Sequence, residues 1–499
     1  MLANNQNQPF IKKFQANNIK YIYDVNTNEI FGVNNVFYDI IDEINNHDLR
    51  SIIEKFKDKY SQAEIEKSYH EIKKAITENG YFSSLRPDII CPYKKEDVKH
   101  TLGSSIYQLI LEVTNNCNLR CKYCTFSGRY SLNRIHGTDN MTFETAKKAI
   151  TFFMKKCDSF AGHPPAITFY GGEPLLKFDM IKKIIQYVND MGKKEKFFFK
   201  FTTNGTLLTK EIIKFLVDND ISILISLDGC KQVQDRYRVY KNGYGTFDTI
   251  MKNIQFIKKH HLEYFNKKVS FIATLAPPYD FKSFSDFFYH NDFFAGLQEK
   301  IKFSLVDAYE TTFFKDFGLE KLEKEFSQKR PIFFENYKQA LLTGRYNDLT
   351  FEKQIFNKSF YNLVRRPMNR MRDKFVALGS CFPGQRRLFI NTAGKFFICE
   401  RVGADYEIGD VDNGFDFDTI YQFMLKFADF FKECKYCWAL RLCKKCFPEI
   451  KRGAEFDESR KQELCKHTLK AIEQNLIAYC ELKEKNPDAF DPFKNIVIA

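Results

Sequence analysis

The sequence predicts an α/β protein whose central part is a partial (β/α)6 barrel, a curved parallel sheet covered by helices. Between residues 105 and 306, six apolar runs of strand length alternate with stretches that carry apolar residues at helical spacing. The strand runs are IYQLILEV (106–113), AITFY (166–170), FFFKFTT (197–203), ISILISL (221–227), VSFIATL (269–275) and KIKFSLV (300–306). The helical stretches include 143–156, 180–191 and 247–259. Such alternation builds a parallel sheet, and the loops beyond the carboxyl ends of its strands carry the function.

Further segments flank this barrel on both sides. A length of 499 residues exceeds one ordinary core, and the pattern changes at both ends of the strand–helix series. We expect a small N-terminal domain (1–85), a linker (86–104), the barrel (105–306), a helical bridge (307–375) and a cysteine-rich domain with a C-terminal helix (376–499). The N-terminal domain should contain strands at 19–25 and 29–33 around a turn at 26–28, then two or three helices that include 36–44 and 65–76.

The composition restricts the class of protein and its compartment. The balance of 44% hydrophobic and 28% charged residues is globular, and no apolar run reaches the length of a membrane span. The start of the chain lacks the apolar stretch of a signal peptide, so we expect a cytoplasmic protein. The net charge of +13 comes from lysines scattered along the chain, and we expect neither nucleic acid nor membrane as a partner. In a reducing compartment, clustered cysteines are metal ligands more often than disulfides.

The first cysteine group follows the first barrel strand directly. Cys117, Cys121 and Cys124 have the spacing Cys-x3-Cys-x2-Cys, with the aromatic Tyr123 before the last one. Three thiolates on so short a loop can hold an iron–sulfur cluster while one iron keeps no protein ligand, and that iron is open to a small molecule. Zinc is the alternative, but a structural zinc site needs four ligands, and no nearby His or Cys is seen to complete the set.

Three further loops should face the same mouth of the barrel. GGEP (171–174), TTNG (202–205) and SLDG (226–229) follow the second, third and fourth strands. Glycines in such loops let a ligand approach the backbone closely. Each segment alone is a common turn, but their order and position together indicate one ligand site.

These motifs resemble the catalytic domain of the radical S-adenosylmethionine (SAM) superfamily over residues 105–305. The resemblance implies a catalytic 4Fe-4S cluster on the three cysteines, with SAM bound beside it. GGEP is similar to the family's motif for the SAM amino group, Ser226 and Asp228 to residues near its ribose or methionine end, and Arg238 to an arginine for its carboxylate. Gln234 stands where peptide-modifying members usually have a histidine. The expected SAM contacts are Tyr123, Gly171, Gly172, Glu173, Pro174, Asn204, Ser226, Asp228 and Arg238.

A second group of seven cysteines lies between residues 381 and 465. It resembles the SPASM domain, a C-terminal extension that holds auxiliary iron–sulfur clusters in radical SAM peptide maturases. In the family's arrangement, one auxiliary 4Fe-4S cluster binds Cys434, Cys437, Cys443 and Cys465, and the other binds Cys381, Cys399 and Cys446, with one iron open unless Cys480 or another group fills it. The last Cys pair is separated by two residues where the family has three. Two Cys-x2-Cys pairs are also a zinc-ribbon signature, so zinc stays an alternative here.

Glu400 follows Cys399 directly and is the candidate catalytic residue. Sulfatase-maturating relatives place an acidic base at this position, which implies that Glu400 accepts a proton. The alternative is a solvated carboxylate that pairs with Arg401 or a neighbouring lysine.

The N-terminal strand pair and helices resemble a RiPP recognition element, a winged-helix-like module of enzymes that modify ribosomally made peptides (RiPPs). Such a module would bind an extended leader peptide as an added strand on its exposed sheet edge. Lys12, Lys13 and Lys20 near that edge are expected to attract an acidic leader. A generic winged helix with a structural role is the alternative.

Together, these resemblances imply a radical SAM oxidoreductase that acts on a ribosomally made precursor peptide. A flavodoxin or ferredoxin-type donor would supply an electron, and SAM would be cleaved to a 5′-deoxyadenosyl radical that removes hydrogen from a peptide carbon. The expected product is a thioether crosslink from a cysteine sulfur to a carbon. The alternatives are an anaerobic sulfatase-maturating enzyme that generates formylglycine, a maturase that forms carbon–carbon crosslinks or epimerises a residue, and a zinc-bearing peptide-binding scaffold without enzyme activity.

Overall fold

The computed structural model of the protein describes residues 7–131, 133–158, 163–192, 196–349, 351–376, 381–403 and 405–495. Its N-terminal part is an antiparallel sheet of three strands followed by three helices. These elements are β1 (Ile11–Ala16), β2 (Ile19–Asp24), β3 (Glu29–Val33), α1 (Asn35–Ile40), α2 (Leu49–Phe56) and α3 (Gln62–Thr77). β2, β3 and the two named helices lie where the sequence predicts them. β1 is not predicted, because its sequence IKKFQA has no continuous apolar run.

The two faces of this N-terminal sheet pack against different parts of the chain. Ile22 on one face is fully buried with Ile40 and Ile72 of the helices that follow. Tyr23 on the other face is fully buried with Leu440 and Leu476 of the cysteine-rich region. Because successive residues of a strand point to opposite faces, β2 joins the N-terminal helices to the C-terminal part of the chain.

Residues 86–104, expected to form a linker, contain β4 (Asp88–Ile90) and α4 (Lys95–Ser104). Val98 and Leu102 of α4 are fully buried in the main core of the barrel. This segment therefore packs as part of the barrel's covering.

The predicted partial barrel is confirmed by six parallel strands that stand side by side in chain order. The strands are β5 (Gln108–Thr114), β6 (Ala166–Gly171), β7 (Phe198–Thr203), β8 (Ser222–Ser226), β9 (Val269–Leu275) and β10 (Ile301–Leu305). The helices between them are α5 (Phe143–Lys156), α6 (Phe178–Asp190), α7 (Lys210–Asp218), α8 (Lys231–Tyr237), α9 (Phe247–His260), α10 (Leu262–Lys268) and α11 (Phe281–Tyr289). Leu111, Phe169 and Ile223 are at most 1% exposed, as expected for parallel strands that are covered on both faces.

A helical segment follows the barrel, as predicted for the bridge. It contains α12 (Phe313–Asp316), α13 (Glu320–Leu342), α14 (Phe351–Val364) and the short strand β11 (Lys374–Val376). β11 pairs in parallel with β4, so the end of the bridge lies beside the segment that precedes the first barrel strand.

The cysteine-rich region continues the barrel sheet. Its elements are β12 (Leu388–Ile390), β13 (Lys395–Phe397), β14 (Glu407–Asp410), β15 (Gly414–Phe415), α15 (Phe417–Phe430), β16 (Lys451–Arg452), β17 (Glu455–Phe456) and α16 (Glu458–Lys485). β12 pairs in parallel with β5, with Leu388 beside Leu109 and Ile390 beside Leu111. The sheet thus reaches ten strands, in the order β10-β9-β8-β7-β6-β5-β12-β13-β14-β15. This junction is not predicted, because the three residues of β12 are too few to form a recognisable strand pattern.

Within the described ranges, no helix combines the length and the apolar composition that a membrane crossing requires.

Candidate active site

The loop that carries the first cysteine group follows β5 and is fixed to the end of α8 by backbone hydrogen bonds. The Arg120 amide donates to the Val239 carbonyl at 2.7 Å, and the Lys122 amide donates to the Tyr237 carbonyl at 2.9 Å. These bonds hold the loop over the mouth of the barrel, where its thiols are largely buried.

Each of the three thiols has a nitrogen donor close to its sulfur. The amides of Leu119 and Phe126 each donate to a cysteine Sγ at 3.4 Å, to Cys117 and Cys124 respectively. Arg238 Nη1 lies 3.9 Å from Cys121 Sγ. Hydrogen bonds to the sulfurs are one means by which proteins tune iron–sulfur clusters, so this donor set fits a cluster held by the three thiolates.

Burial raises the pKa of Cys117 to about 11 and that of Cys121 to about 12. As free thiols these side chains would stay protonated and unreactive. A metal that binds them as thiolates must displace those protons.

His136 lies beside the first cysteine group, which the sequence analysis did not anticipate. Its Nε2 is 3.6 Å from Cys124 Sγ, and its Nδ1 is 3.3 Å from the Asn115 carbonyl oxygen. The chain folds back after Cys124 and so brings this histidine close to the thiol. Across the described residues, however, no three His, Cys, Asp or Glu side chains are arranged to hold a single metal ion.

The two glycines of the GGEP loop are required by the close approach of the cysteine loop. Gly171 has φ +141°, and a Cβ at this position would overlap the Thr114 carbonyl oxygen. A Cβ at Gly172 would overlap the Asn116 carbonyl oxygen. Only glycine permits the second strand to end this close to the first cysteine group.

Glu173 connects the ends of β6 and β7. Its Oε1 accepts hydrogen bonds from Thr203 Oγ1 at 2.8 Å and from the Leu175 amide at 3.1 Å, and its Oε2 accepts one from the Asn204 amide at 2.7 Å. The side chain is 1% exposed, and burial raises the pKa of Glu173 to about 7. Asn204 Nδ2 in turn donates to Asn118 Oδ1 at 2.8 Å, so this network reaches the cysteine loop.

Asp228 is a buried acceptor that orients the groups around it. Arg238 Nε donates to both of its carboxylate oxygens at 3.1 Å, and the Tyr123 hydroxyl also donates to it. Gln234, at the position where the family usually has histidine, accepts the Asp228 amide at 2.7 Å and donates to Thr246 Oγ1 at 3.1 Å. Gln234 is fully buried and supports the loop that carries Asp228.

A cavity of about 800 Å³ opens between these loops and reaches the cysteine-rich region. Most predicted site residues line it, namely Cys117, Cys121, Cys124, Tyr123, Gly171, Gly172, Glu173, Asn204, Ser226, Arg238 and Glu400. Pro174 and Asp228, predicted to contact SAM, are not among the lining residues. Pro174 begins a 3-10 helix just behind the wall, and Asp228 lies behind Arg238. Both support the wall of the cavity.

Two polar groups in this cavity have no hydrogen-bond partner within the described structure. They are Glu400 Oε2 and the Tyr309 hydroxyl, both buried. The other oxygen of Glu400 pairs with Arg387, not with the expected Arg401 or a lysine. Tyr309 packs under the Arg460 guanidinium, 3.8 Å from its ring centroid. A buried polar atom without a partner marks the place where a ligand can supply one. No sequence motif indicated Tyr309 as a site residue.

Thiols of the second cysteine group lie close enough to influence one another's pKa. Burial raises the pKa of Cys434 to about 12, and the nearby Cys437, Cys465 and Cys443 raise it further. Burial likewise raises the pKa of Cys399 to about 12, with a contribution from Cys446. Cys446 is influenced in the same way by Cys381. Hairpin β12–β13, the 434–446 loop and α16 bring these thiols together.

Cys480 does not lie with either set. It is buried against the N-terminal sheet, with Phe14 and Tyr23 in the same apolar cluster. The suggestion that Cys480 completes the set of Cys381, Cys399 and Cys446 is therefore wrong. Its position on α16, four turns beyond Cys465, faces a different part of the molecule.

With the geometry established, comparison with known proteins defines the class. The family model of the radical SAM superfamily matches residues 111–287, which cover the first cysteine group and the GGEP, TTNG and SLDG loops. An uncharacterized protein of Methanocaldococcus jannaschii is 30% identical over 306 residues, which are 61% of this chain and 88% of that protein. The chain belongs to the radical SAM superfamily, and this membership implies SAM and a 4Fe-4S cluster as cofactors.

A relative with a named activity covers less of the chain. The cysteine-type anaerobic sulfatase-maturating enzyme of Clostridium novyi is 31% identical over 173 residues, which are 32% of this chain and 42% of that enzyme. This chain therefore spans less than half the length of that relative. Among solved structures, native anSMEcpe with bound AdoMet has a TM-score of 0.48 and 18% identity, over 78% of this chain and 100% of that one.

Proposed function

We propose that this protein is a peptide maturase that uses radical SAM chemistry to install thioether crosslinks in a ribosomally made precursor peptide. The observation that carries the proposal is the single cavity shared by the first cysteine group and Glu400. A substrate in this cavity would contact the radical-generating loop on one side and the cysteine-rich region on the other.

The residues around the first cysteine group would bind and orient the cofactors. When bound, the cluster and SAM supply a radical that removes hydrogen from a carbon of the substrate. Gly171 and Gly172 let the GGEP loop lie against the cysteine loop, and Arg238 offers a guanidinium that suits a carboxylate. Asp228 and Tyr123 fix the direction of that guanidinium through the hydrogen bonds described above. The buried wall would keep water away from the reacting carbon.

Glu400 is the proposed proton acceptor. Arg387 holds one of its carboxylate oxygens, and the other is buried without a partner among the described residues. This arrangement keeps an acceptor oxygen aimed at the cavity, next to Cys399. A thiol of the substrate that reaches this point could transfer its proton to Glu400 as its sulfur bonds to the carbon from which hydrogen was removed. The one electron released by this bond would pass to an auxiliary cluster held by the second cysteine group.

The cysteines of the second group are the proposed ligands of two auxiliary 4Fe-4S clusters. Cys434, Cys437, Cys443 and Cys465 form a complete set of four thiols, whereas Cys381, Cys399 and Cys446 form a set of three. The incomplete set lies beside Glu400 and so borders the substrate cavity. A cluster held there would have one iron free to bind a substrate thiolate. A structural zinc site has four closed ligands and would not explain a three-thiol set at this position.

The N-terminal sheet is the proposed recognition site for the leader peptide. The edge formed by β1 is covered by α16, through the ion pair of Lys12 with Glu473 at 2.7 Å. β3 pairs only with β2 among the described residues, so its outer edge can accept an added strand.

The three lysines expected to attract the leader each have a carboxylate partner within the chain. Besides Lys12, Lys13 is paired with Asp42 at 2.8 Å and Lys20 with Asp39 at 3.4 Å. In this proposal, strand pairing along β3 contributes more to recognition of the leader than these lysines do.

Formation of formylglycine is a second candidate, favoured by the identity to the Clostridium novyi sulfatase-maturating enzyme over the barrel region. Both functions would place a substrate cysteine near Glu400. The N-terminal domain favours the crosslinking function, because a leader-binding module is useful only for a precursor peptide.

The test is anaerobic co-expression of the protein with small cysteine-rich peptides encoded beside its gene, followed by mass spectrometry. A crosslinked peptide would lose two hydrogens for each bond and would no longer be alkylated at the cysteines concerned. The Glu400→Gln variant should lose the crosslink while it still forms 5′-deoxyadenosine. A peptide that gains an aldehyde at one cysteine would instead establish formylglycine formation, and an unmodified peptide beside active SAM cleavage would refute both substrates.

A further inference from the structure

A second cleft lies outside the substrate cavity and is lined by positive charge. It has a volume of about 870 Å³ between α13, α14 and α16 and shares no lining residue with the cavity at the first cysteine group. Its basic side chains are Arg330, Lys338, Lys358, Lys444, His467 and Lys470, and its carboxylates are Glu335 and Glu481.

Most of this positive charge is uncompensated. Both carboxylates pair with Lys338, at 2.8 Å and 3.4 Å. Arg330, Lys358, Lys444 and Lys470 have no ion pair among the described residues, and the three lysines are exposed. With five lysine and arginine side chains against two carboxylates, the lining carries a net charge of about three positive charges facing solvent.

The cleft lies directly beside the second cysteine group. Leu442 and Lys444, which line it, flank Cys443, and His467 lies two residues after Cys465 on α16. The Lys445 Nζ donates to Thr468 Oγ1 and so ties the cysteine loop to the same helix. A partner bound in the cleft would contact Leu442 and Lys444, the two neighbours of Cys443 in the sequence.

We infer that this cleft docks an acidic protein that carries single electrons to the cluster proposed on Cys434, Cys437, Cys443 and Cys465. In that step the carrier is oxidised by one electron, the cluster is reduced by one electron, and no proton or covalent bond moves. The inference rests on the proposed function, because it assumes that the cluster is present. The charge and the shape of the cleft are observed independently of that function.

A small anion fits this cleft less well than a protein does. Sites for small anions bring buried donors together at one point, whereas Lys358, Lys444 and Lys470 are exposed and stand on separate elements. Dispersed, solvated charge of one sign instead steers a large partner of opposite charge and raises its rate of association.

The experiment compares two double variants of the full protein. Lys358→Glu with Lys470→Glu reverses charge on opposite walls of the cleft, and Lys183→Glu with Lys252→Glu makes the same change on exposed helices of the barrel. The probe is an acidic flavodoxin. Its Kd is measured by titration calorimetry at low and high salt, and 5′-deoxyadenosine formation is measured with reduced flavodoxin and, separately, with dithionite.

The cleft variant should bind flavodoxin at least about 10-fold more weakly than the barrel variant, with a smaller salt dependence. Its rate with reduced flavodoxin should fall to a similar extent, while its rate with dithionite stays within two-fold of wild type, about the spread expected for surface substitutions. Equal Kd values for the two variants would overturn the inference, as would a loss of precursor-peptide binding with unchanged flavodoxin binding. The neutral pair Lys358→Gln with Lys470→Gln repeats the test if the reversed charges impair folding.

The same experiment separates this inference from the proposed function. If wild-type protein forms no 5′-deoxyadenosine with dithionite, the radical chemistry is refuted, and the Kd comparison still decides whether the cleft binds the carrier.

Discussion

The two cysteine groups are built in different ways. Cys117, Cys121 and Cys124 lie on one loop, and amides of that same loop donate to the sulfurs of Cys117 and Cys124. The second group collects seven thiols from a hairpin, a long loop and a helix, between residues 381 and 465. The first site is organised mainly by local sequence, whereas the second depends on the packing of distant segments.

This difference indicates what each site requires in order to form. The first loop needs only the end of β5, the GGEP glycines and α8. The second also needs the N-terminal sheet, because Arg441, between Cys437 and Cys443, donates to the carbonyls of Asn26 at 3.0 Å and Asn369 at 2.7 Å. The sheet proposed to bind the leader and the second cysteine group are therefore physically connected.

The largest expected effect comes from the first group. Cys117→Ala, Cys121→Ala or Cys124→Ala should each reduce the formation of 5′-deoxyadenosine to background, because a cluster with two protein ligands cannot be held at the mouth of the barrel. The measurement is 5′-deoxyadenosine by chromatography after anaerobic reconstitution. Cys157→Ala, outside both groups, is the control and should match wild type. Turnover at the wild-type rate in any of the three loop variants would refute the assignment of the catalytic cluster.

The second group should separate SAM cleavage from product formation. Cys399→Ala and Cys437→Ala each remove one thiol from a different set, so the iron content should fall by about four atoms per chain in each variant. With dithionite as the reductant, formation of 5′-deoxyadenosine should remain within about threefold of wild type, while crosslinked peptide disappears. Iron analysis and peptide mass spectrometry measure the two effects. Normal crosslinking by both variants would mean that these cysteines have a structural role only.

The same contrast explains how much of the molecule the sequence could predict. The barrel was predictable because strands such as AITFY and ISILISL are apolar throughout, which is the pattern of a covered parallel strand. The cysteine loop and the glycine loops were predictable because their spacing is local. The division of the second group into two sets came from resemblance to a family, and no spacing rule alone would have given it.

The features that were missed depend on tertiary structure. His136 approaches Cys124 only because the chain folds back after the loop, and Tyr309 reaches the cavity from the end of β10. The ion pair of Lys13 with Asp42 could not be predicted for a similar reason, because the two residues belong to different elements. Sequence patterns specify elements, whereas the partner of an individual polar side chain depends on which elements meet.

A smaller effect is expected at Gly171, where two loops touch. Gly171→Ala adds a Cβ that overlaps the Thr114 carbonyl oxygen, so the GGEP loop must move away from the cysteine loop. We expect the Kd for SAM to rise about 10-fold, which corresponds to about 1.4 kcal/mol. Equilibrium dialysis with labelled SAM measures it.

The matched control is Gly344→Ala. Gly344 has φ +72°, also in the region that favours glycine, but a Cβ there would meet no atom within 4 Å. The Gly344→Ala variant has the same kind of backbone strain but no overlap of the new Cβ with another atom, and it should lose about 1 kcal/mol of stability. Equal SAM affinity in the two variants would show that the close approach of the loops does not shape the binding site.

The smallest effect is expected at Arg441, and it sharpens the comparison of the two groups. Arg441→Ala removes hydrogen bonds from a charged donor to backbone carbonyls, each worth about 1.5–3 kcal/mol when buried, although partial exposure reduces that contribution here. The loop from Cys437 to Cys443 should then loosen from the N-terminal sheet. We expect partial loss of iron, about one to two atoms per chain, with little change in SAM cleavage, because the first cysteine loop makes none of these contacts. Arg365→Ala, an exposed arginine on the same side, is the control and should keep its iron. If Arg441→Ala lost SAM cleavage as fully as it lost iron, the two groups would have to form as one cooperative unit, and the distinction between a local and a tertiary site would fail.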